Sequence, residues 1–414
     1  MKNILIVACL DTKSTEVLFL KERIETFGAK TIIIDAGILG EPLFPPDFTR
    51  ADVAEMAGTT LEKVRKIPSE GQAMDIQIKG AIGIAQKLHS EGKVHGILGI
   101  GGAMGTGLGT AVMSSFPIGI PKVMISTVAG VGNLVGVFVG TKDINMFHSV
   151  ADVAGLNRLT RTIFSNAAGA VVGMANAGVD KLENRRLVAV STLGTTEHAA
   201  ERTRALLELA GYESVTFHTT GVGGRSLEHS IIDGLVDGGV IEYSLHEYID
   251  RIAGGLYQAS DDRYENAGLM SLPQVYVPGS TDFIVEGHGK EKYQGRKTHM
   301  HNQAIMLYRT SPVEMKQLGE EIGQKLSRSK SPVTVVIPMR GFSVHDREGG
   351  PLWEPEALLE FAKGIESKAN TMLKVKRVDA HVLEERFIQE ALDSFLENAK
   401  IVDTMAAIDV RSAG

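Results

Sequence analysis

The chain has little of what marks secreted, membrane-spanning or fibrous proteins. Its 414 residues include one cysteine and one tryptophan, and aromatic residues make up 6% of the total. A single cysteine excludes an intrachain disulfide framework, which favours a reducing compartment. The apolar run at residues 4–10 is too short for the core of a signal peptide, and no run approaches the ~18 apolar residues of a membrane span. We therefore predict a cytoplasmic protein with no membrane partner.

The chain also has no large excess of positive or negative side chains. Lys and Arg number 43 against 50 Asp and Glu, which gives a net charge of −7 without long runs of one sign. This balance argues against a nucleic-acid partner. Hydrophobic residues at 43% and charged residues at 22% are typical of a globular enzyme. Because one domain usually takes ~100 to 200 residues, the length predicts at least two domains.

The first half of the chain repeats a strand, helix, strand pattern. The apolar run 4–10 is followed by residues at helical spacing that end at Gly28, and by a second apolar run at 31–34. Further strands are predicted at 94–100 and 121–127, after a helix at about 74–90. Repetition of this unit predicts an α/β fold with a mainly parallel sheet and helices on both faces.

A second unit of the same kind begins at 187–193 and parallels the first at an offset of 183 residues, so that Gly28 corresponds to Gly211. The alternative is that any two such units look alike at this level. We predict two Rossmann-like α/β domains, 1–180 and 181–414, with a boundary near Gly178 to Glu183 and a cleft between them.

The C-terminal half departs from the regular alternation of strands and helices. Glycine and proline interrupt residues 275–296, a strand is predicted at 333–337, and a long helical region is predicted from Glu354 onward. Within that region, residues 381–400 have the spacing of an amphipathic helix.

The glycine-rich segment Gly99-Ile-Gly-Gly-Ala-Met-Gly-Thr-Gly107 is the sharpest local motif. Successive backbone amides can point into one concavity there, and a helix beginning near Thr106 would add its positive end, which suits a phosphate. The segment is neither a Walker loop nor a complete dinucleotide fingerprint. Its alternative is a tight turn where backbones pack closely. The predicted contacts are Gly101, Gly102, Gly105, Thr106 and Gly107.

Two other strand ends carry short polar residues. Asp11, Thr12 and Lys13 follow the first strand, and Thr127 ends the strand at 121–127. Lys13 suits a phosphate contact and Asp11 suits Mg²⁺; the alternative for Asp11 or Thr12 is a helix N-cap. Ligands of open α/β sheets lie beyond the carboxyl ends of the strands, so these turns are expected to converge on one site.

The second domain offers candidates for catalysis. The turn 219–225 is a second candidate anion site, and His218 and Glu228 flank it as a candidate acid and base. Arg340, in Pro338-Met-Arg-Gly341, is a candidate for holding an anionic group. The alternative for the turn is a simple strand-to-helix connection with surface side chains.

Several histidines and acids lie further along the chain. They match no helical two-histidine motif and no zinc-finger spacing, so we predict no metal site among them. They are His288, His299, His301, Asp282 and Asp346.

Several of these runs together resemble the Tm-one-like ATP-binding family. The resemblance covers nearly the whole chain, and its longest run is 117–129 (Pro-Ile-Gly-Ile-Pro-Lys-Val-Met-Ile-Ser-Thr-Val-Ala). The other runs are Asp11-Thr-Lys13, Gly99-Ile-Gly-Gly102, Gly140-Thr141, 165–169, 217–224, 295–297, His301-Asn302 and Pro338-Met-Arg-Gly341.

The resemblance implies two Rossmann-like domains, ATP binding with Mg²⁺ in the first domain, and a homodimer. It carries the nucleotide contacts onto Asp11, Thr12, Lys13, the 101–107 loop and Thr127. Plant relatives are fused to a phosphoenolpyruvate-hydrolase-like barrel, which suggests a separate barrel partner. The stretch 130–136 departs from the family in composition, so no contact is assigned to it.

Three hypotheses follow. The first is a Mg-ATP-binding protein with an enzymatic role on a small molecule held in the interdomain cleft. The second is a non-catalytic nucleotide-sensing module that presents a surface to a protein partner. The third replaces ATP with a sugar acid or a phosphorylated sugar, because the sequence has no obvious adenine-binding motif.

Overall fold

The computed structural model describes residues 1–178 and 185–412. The chain divides into two compact units, Met1–Lys181 and Leu182–Gly414. Each unit is built on its own parallel sheet with helices on both faces, which confirms the predicted two-domain α/β fold class. The boundary predicted near Gly178 to Glu183 falls on 179–184, which lie outside the described residues.

Unit 1 alternates strands and helices. Its elements are β1 Asn3–Ala8, α1 Leu10–Thr26, β2 Lys30–Asp35, α2 Arg50–Met56, α3 Leu61–Arg65, α4 Glu70–Ser90, β3 Gly96–Gly101, α5 Ala103–Ser114, β4 Lys122–Ser126, α6 Gly132–Val139, β5 Asn145–His148 and α7 Arg158–Ala177. The strand order is β2-β1-β3-β4-β5, and all neighbouring strands are parallel.

Strand β1 shows how the core of unit 1 is formed. Its residues Ile4 to Val7 are fully buried. Successive side chains of a strand point to opposite faces, so Ile4 and Ile6 pack with α1 and α7, and Leu5 and Val7 pack with α4 and α5. The continuous apolar run of β1 therefore reflects a strand that is covered on both sides.

Unit 2 has more elements. They are β6 Leu187–Thr192, α8 Glu197–Leu209, β7 Glu213–His218, α9 Val222–Ile232, β8 Gly239–Glu242, α10 His246–Ala253, α11 Asn266–Leu269, β9 Gln274–Tyr276, β10 Phe283–Glu286, β11 Thr298–Met300, β12 Met306–Arg309, α12 Pro312–Leu326, β13 Val333–Pro338, α13 Pro355–Glu366, β14 Leu373–Val378 and α14 Glu385–Ser412.

The parallel sheet of unit 2 has the order β14-β13-β9-β8-β6-β7. Its first three strands in the chain are arranged as in unit 1, with the second strand outside the first and the third on the other side. The glycines that end the first helix of each unit, Gly28 and Gly211, both have φ of +87°. An L side chain is strained in that conformation, so the glycine correspondence along the sequence has a backbone reason.

The structure differs from the sequence prediction at one element of unit 1 and at two places in unit 2. Helix α5 begins at Ala103 and not near Thr106, because the turn after β3 takes up a single residue. The helical region predicted from Glu354 is interrupted by β14, whose alternating sequence LKVKRV suits an edge strand with one solvated face. Residues 275–296 contribute to a separate antiparallel sheet, β10-β12-β11, which the sequence did not reveal.

Within the described residues, none of the helices combines the length and the apolar character needed to cross a membrane.

Candidate functional site

The candidate site of unit 1 lies at the topological switch point of its sheet, where the strand order reverses. Strands β1 and β3 are neighbours in the sheet, but their connections leave in opposite directions, and the crevice outside such a pair is where open α/β sheets bind ligands. A cavity of about 250 Å³ lies there and is lined in part by Cys9, Asp11, Thr12 and Met104. The loops after β1 and β3 therefore meet in one crevice, as predicted.

A larger groove of about 740 Å³ lies elsewhere on unit 1, lined by residues such as Asp47, Glu55 and Lys93. Lys93 precedes β3, so this groove lies toward the amino ends of the strands. It collects none of the predicted ligand contacts, and we do not place the site there.

The turn between β3 and α5 is tighter than predicted. A Cβ on Gly101 would lie 2.7 Å from the Cα of Gly105, so these glycines let the first turn of α5 pack directly on the end of β3. Gly102 is the N-cap residue and offers no side chain to the amides of the first turn. Those amides lack intrahelical acceptors and can serve an anion in the crevice.

Thr106 requires a correction. It was predicted as a phosphate contact, but it lies inside α5, is fully buried, and its Oγ1 lies 2.7 Å from Ser126 Oγ. The early start of the helix turns this hydroxyl toward β4 and away from the crevice. Gly105 and Gly107 likewise belong to the helix.

The turn after β1 is bent. Helix α1 begins at Leu10, but Lys13 departs from helical geometry, with φ of −126° and ψ of 16°. Its Nζ lies 3.3 Å from the carbonyl oxygen of Thr12, and Thr12 is exposed. The positive charge of Lys13 acts on the thiol of Cys9, which lines the crevice, so Lys13 provides a cation close to the crevice. Among the described residues it forms no salt bridge.

Asp11 has a role that the sequence did not predict. Its Oδ2 accepts hydrogen bonds from the amides of Ile38 and Leu39, each at 3.0 Å. Asp11 therefore anchors the loop after β2 against the crevice. Among the described residues its Oδ1 makes no hydrogen bond, so one carboxylate oxygen stays available to a cation.

A buried ion pair fixes the other side of that loop. Asp35 ends β2 and accepts hydrogen bonds from the amides of Leu10 and Gly37, both at 2.9 Å. Arg50 is 5% exposed, donates from Nε to Asp35 Oδ2 at 2.8 Å, and donates to the carbonyl of Leu39. The pair shapes the crevice without lining it, and a lone Asp after an apolar run is the only sequence signal for it.

Thr127 joins the site from β4. Its amide donates to the carbonyl of Gly101 at 3.3 Å, and its Oγ1 would lie 3.7 Å from a Cβ on Gly102. The structure therefore brings together Thr127, Gly102 and Gly101. It also places Asp11 and Thr12 across the crevice from Met104.

Cys9 lines the crevice but is not a nucleophile. Burial, together with the negative charges of Asp11 and Asp35, raises the pKa of its thiol to about 12. The thiolate is the reactive form, and an ordinary thiol has a pKa of about 8.5. We expect Cys9 in the folded protein to react with iodoacetamide at pH 8 at least ~100-fold more slowly than glutathione. Alkylation followed by mass spectrometry measures this, and a rate near that of glutathione would contradict the burial argument.

Glu228 is enclosed in the interior of unit 2. It is 1% exposed, and its Oε1 accepts hydrogen bonds from Arg263 Nη1 at 3.1 Å and from the amide of Tyr264 at 2.7 Å. Its Oε2 accepts from Asn266 Nδ2 at 2.9 Å. The predicted acid or base is thus enclosed in a buried network and has a structural role.

The turn 219–225 also differs from its prediction as an anion site. The carboxylate of Glu247 already lies in it, with Oε1 accepting from the amides of Gly221 at 2.6 Å and Gly224 at 2.9 Å. The residue pattern correctly indicated a place for an anion, but the anion is a side chain of the same unit.

His218 and Arg340 are not brought together. His218 is exposed at the end of β7, and Arg340 follows β13 and forms a bidentate pair with Asp379, both contacts at 2.8 Å. Four strand spacings separate β13 from β7, which at ~4.8 Å each is about 19 Å. They cannot act on the same atoms of one small substrate.

The histidine group is partly assembled. The rings of His299 and His345 stack with centroids 4.2 Å apart. His288 instead donates from Nε2 to the carbonyl oxygen of Asn302 at 2.9 Å. Among residues 1–178 and 185–412, no group of three or more His, Cys, Asp or Glu side chains has the geometry to hold a metal ion.

The comparisons with known proteins cover both units. Residues 2–180 match the N-terminal domain of the uncharacterised protein family UPF0261, and residues 185–399 match its C-terminal domain. A UPF0261 protein of Clostridium tetani is 37% identical over 352 residues, which cover 84% of this chain and 86% of that protein.

The ToMV resistance protein Tm-1 of Solanum lycopersicum is 31% identical over 338 residues, which cover 79% of this chain and 44% of that protein. A solved structure, UDP-GlcNAc 2-epimerase of Methanocaldococcus jannaschii in complex with UDP-GlcNAc and UDP, aligns over 99% of this chain and all of its own, with 11% identity and a TM-score of 0.21. That score is too low to carry an argument. The two domain matches and the bacterial relative establish that the chain belongs to the uncharacterised protein family UPF0261.

Proposed function

We propose that unit 1 binds a nucleotide, ATP with Mg²⁺, through its phosphates at the crevice between β1 and β3. The observation that carries the proposal is the N-terminus of α5, which opens on this crevice with a glycine N-cap and no side-chain cap. A helix N-terminus presents unsatisfied amides and a partial positive charge, which together favour phosphate. Lys13 adds a cation and Thr127 adds a hydroxyl.

The size of the crevice indicates which part of the nucleotide it holds. Pockets that enclose a drug-sized ligand have volumes of roughly 300 to 1,000 Å³, and this one is about 250 Å³. The phosphates fit inside it, and the adenosine would extend outside. This agrees with the lack of an adenine-binding motif in the sequence.

The residues present fit a Mg²⁺ ion that arrives with the phosphates. Mg²⁺ is usually held by one or two carboxylates together with phosphate oxygens and waters. Asp11 can supply one carboxylate oxygen, because only its Oδ2 is used to anchor the loop. The ion would neutralise phosphate charge beside that carboxylate.

The proposal is tested by isothermal titration of Mg-ATP into the wild type and into Lys13→Ala. We expect saturable binding by the wild type and a loss of roughly 10- to 100-fold in the variant, because a charge-assisted contact contributes roughly 1.5 to 3 kcal/mol. Lys21→Ala is a matched control, since Lys21 pairs with Glu25 on the outer part of α1.

The comparison ligands separate the three hypotheses. Tripolyphosphate that binds nearly as well as ATP would locate the recognition in the phosphates, and a sugar phosphate that binds better would replace the nucleotide. No binding of ATP to the wild type would remove the nucleotide proposal. Hydrolysis of bound ATP distinguishes an enzyme from a nucleotide-sensing module. A homodimer, a barrel partner and a cytoplasmic location stay predictions from the sequence.

A further inference from the structure

Unit 2 has a crevice of its own that none of the predicted catalytic residues explains. A cavity of about 160 Å³ lies at the carboxyl ends of β6 and β7, lined there by Leu193, Gly194, Thr195 and Thr220. Its opposite wall comes from the small antiparallel sheet β10-β12-β11. The small sheet thus covers the edge of the parallel sheet where α/β folds place their ligands.

One face of the small sheet turns histidine side chains toward the crevice. Leu307 of β12 is paired with Val285 of β10 on one side and with His299 of β11 on the other. Directly paired residues point to the same face of a sheet. Leu307 and Val285 line the crevice, so His299 faces the same side, and His301 lines the crevice itself.

A third imidazole completes this group from the loop after β13. The ring of His345 stacks on His299, with centroids 4.2 Å apart, and lies 6.5 Å from the ring of Phe283 in the crevice wall. Burial is the main cause that lowers the pKa of His345 to about 4, and His299, His301 and Arg347 contribute to the same shift. The three imidazoles thus lie close together, and their ring N–H groups can donate hydrogen bonds to an anion.

Buried polar atoms lie next to the same wall. Asp282 and Asp346 are fully buried, and the Oδ1 of each has no hydrogen-bond partner among the described residues. They adjoin Phe283 and His345 in the chain, and Ser343 Oγ donates to Asp282 Oδ2 at 2.7 Å. Burial raises the pKa of both carboxyl groups. Asp346 Oδ1 lies 3.8 Å from Arg309 Nη2, so it has an ion-pair contact but no hydrogen bond. Buried polar atoms without a hydrogen bond are uncommon, and groups with shifted pKa values concentrate at functional sites.

We propose that this crevice binds a small organic acid. Its carboxylate or phosphate group faces the imidazoles of His299, His301 and His345, and its short carbon body packs against Phe283 and Leu307. The cavity has room for about five water-sized groups, at ~30 Å³ each, which limits the ligand to a few carbons and one anionic group. The proposal uses residues of unit 2 alone and does not depend on the function proposed for unit 1.

The single tryptophan provides a reporter. Trp353 follows Leu352, which is fully buried and packs with Phe283, Val285 and Leu307 in one hydrophobic cluster. The carbonyl of Trp353 accepts a hydrogen bond from Lys297 Nζ at 2.6 Å, just before β11. Occupation of the crevice is therefore expected to change the tryptophan fluorescence of the full chain.

The experiment titrates pyruvate, phosphoglycolate and propionamide into the wild type and follows Trp353 fluorescence, with isothermal titration as a second measurement. We expect saturable binding of pyruvate or phosphoglycolate and none of propionamide, which lacks the charge. The acid that binds more tightly shows whether the anionic group is a carboxylate or a phosphate.

Two variants locate the binding. His301→Gln should weaken it at least tenfold. Gly194→Leu should abolish it by filling the crevice, and a Cβ at Gly194 meets no atom within 4 Å, so the fold can accept it. His198→Gln is the matched control, because His198 is exposed on α8 and does not line the crevice.

Three outcomes would overturn the proposal. They are no saturable response to either acid by both measurements, binding that is unchanged in both His301→Gln and Gly194→Leu, and binding of Zn²⁺ alone that is lost in His301→Gln without any response to the acids. The last would make the histidines a metal site.

Discussion

Replacement of Arg263 by methionine should destabilise unit 2 more than any other single change proposed for this protein. Arg263 is fully buried and its guanidinium contacts three buried carboxylates, those of Glu228, Glu242 and Glu247. This buried cluster therefore contains three acidic side chains and a single cation. Removing the partner of a buried ion pair costs roughly 3 to 5 kcal/mol, and a whole domain is stable by only about 5 to 15 kcal/mol. We expect unit 2 to be unfolded or close to its threshold, as measured by urea denaturation.

The pH dependence of the same variant gives an independent check. Burial already raises the pKa of Glu228 in the wild type. Without Arg263 the carboxylate of Glu228 loses the charge that favours its ionisation, so its pKa in the folded state rises further above its pKa in the unfolded state. A group with a raised folded pKa contributes stability that is lost as pH rises. The variant should therefore gain stability between pH 7.5 and 5.5, and a loss over this range would contradict the argument.

Arg340→Met is the matched control. Arg340 also forms a bidentate pair, with Asp379, but both side chains are exposed. Water solvates both charges after the change, so we expect no measurable loss of stability. An equal loss in both variants would show that burial is not the cause.

The sequence predicted the sheet of unit 1 well because its signals are local. The run Ile4 to Val7 is apolar throughout since β1 is covered on both faces, and Gly28 marks the end of α1 through its positive φ. The places of Asp11, Thr12 and Thr127 just beyond strand ends could be predicted for the same reason, and their contacts with a ligand stay a prediction.

The functions of individual side chains were harder to predict because they depend on distant partners. The turn 219–225 looks like an anion site along the chain, and only the fold shows that Glu247 occupies it. Glu228 looks like a free acid until Arg263, 35 positions away, is seen beside it. Thr106 was predicted to contact the ligand, but it is a buried core residue because α5 begins at Ala103.

The small antiparallel sheet was missed for a related reason. Its strands are three or four residues long, too short for the alternation of polar and apolar residues to be recognised. The sequence therefore did not show on which face of a sheet His299 and His301 lie. Pairing of His299 with Leu307 supplies that information, and it depends on a register that local sequence does not specify.

Gly102→Asp should abolish Mg-ATP binding by unit 1 while leaving its stability unchanged or slightly higher. Gly102 is the N-cap of α5, with φ of −77° and ψ of −158°, which an L residue can adopt. Aspartate is among the best N-cap residues and exceeds glycine by a few tenths of a kcal/mol. Its carboxylate would accept the amides that we assign to the phosphates and would repel them, so we expect a loss of at least ~100-fold in affinity.

Gly102→Ala separates charge from shape. A Cβ at this position meets Thr127 Oγ1 at 3.7 Å, an ordinary contact, and adds no charge. Alanine should therefore keep ATP affinity within about threefold of the wild type, a difference of roughly 0.6 kcal/mol. Isothermal titration gives the affinities and thermal unfolding gives the stabilities. If Gly102→Asp binds Mg-ATP as tightly as Gly102→Ala, the phosphates do not lie at the N-terminus of α5, because a fixed carboxylate and a bound phosphate cannot share the same amides.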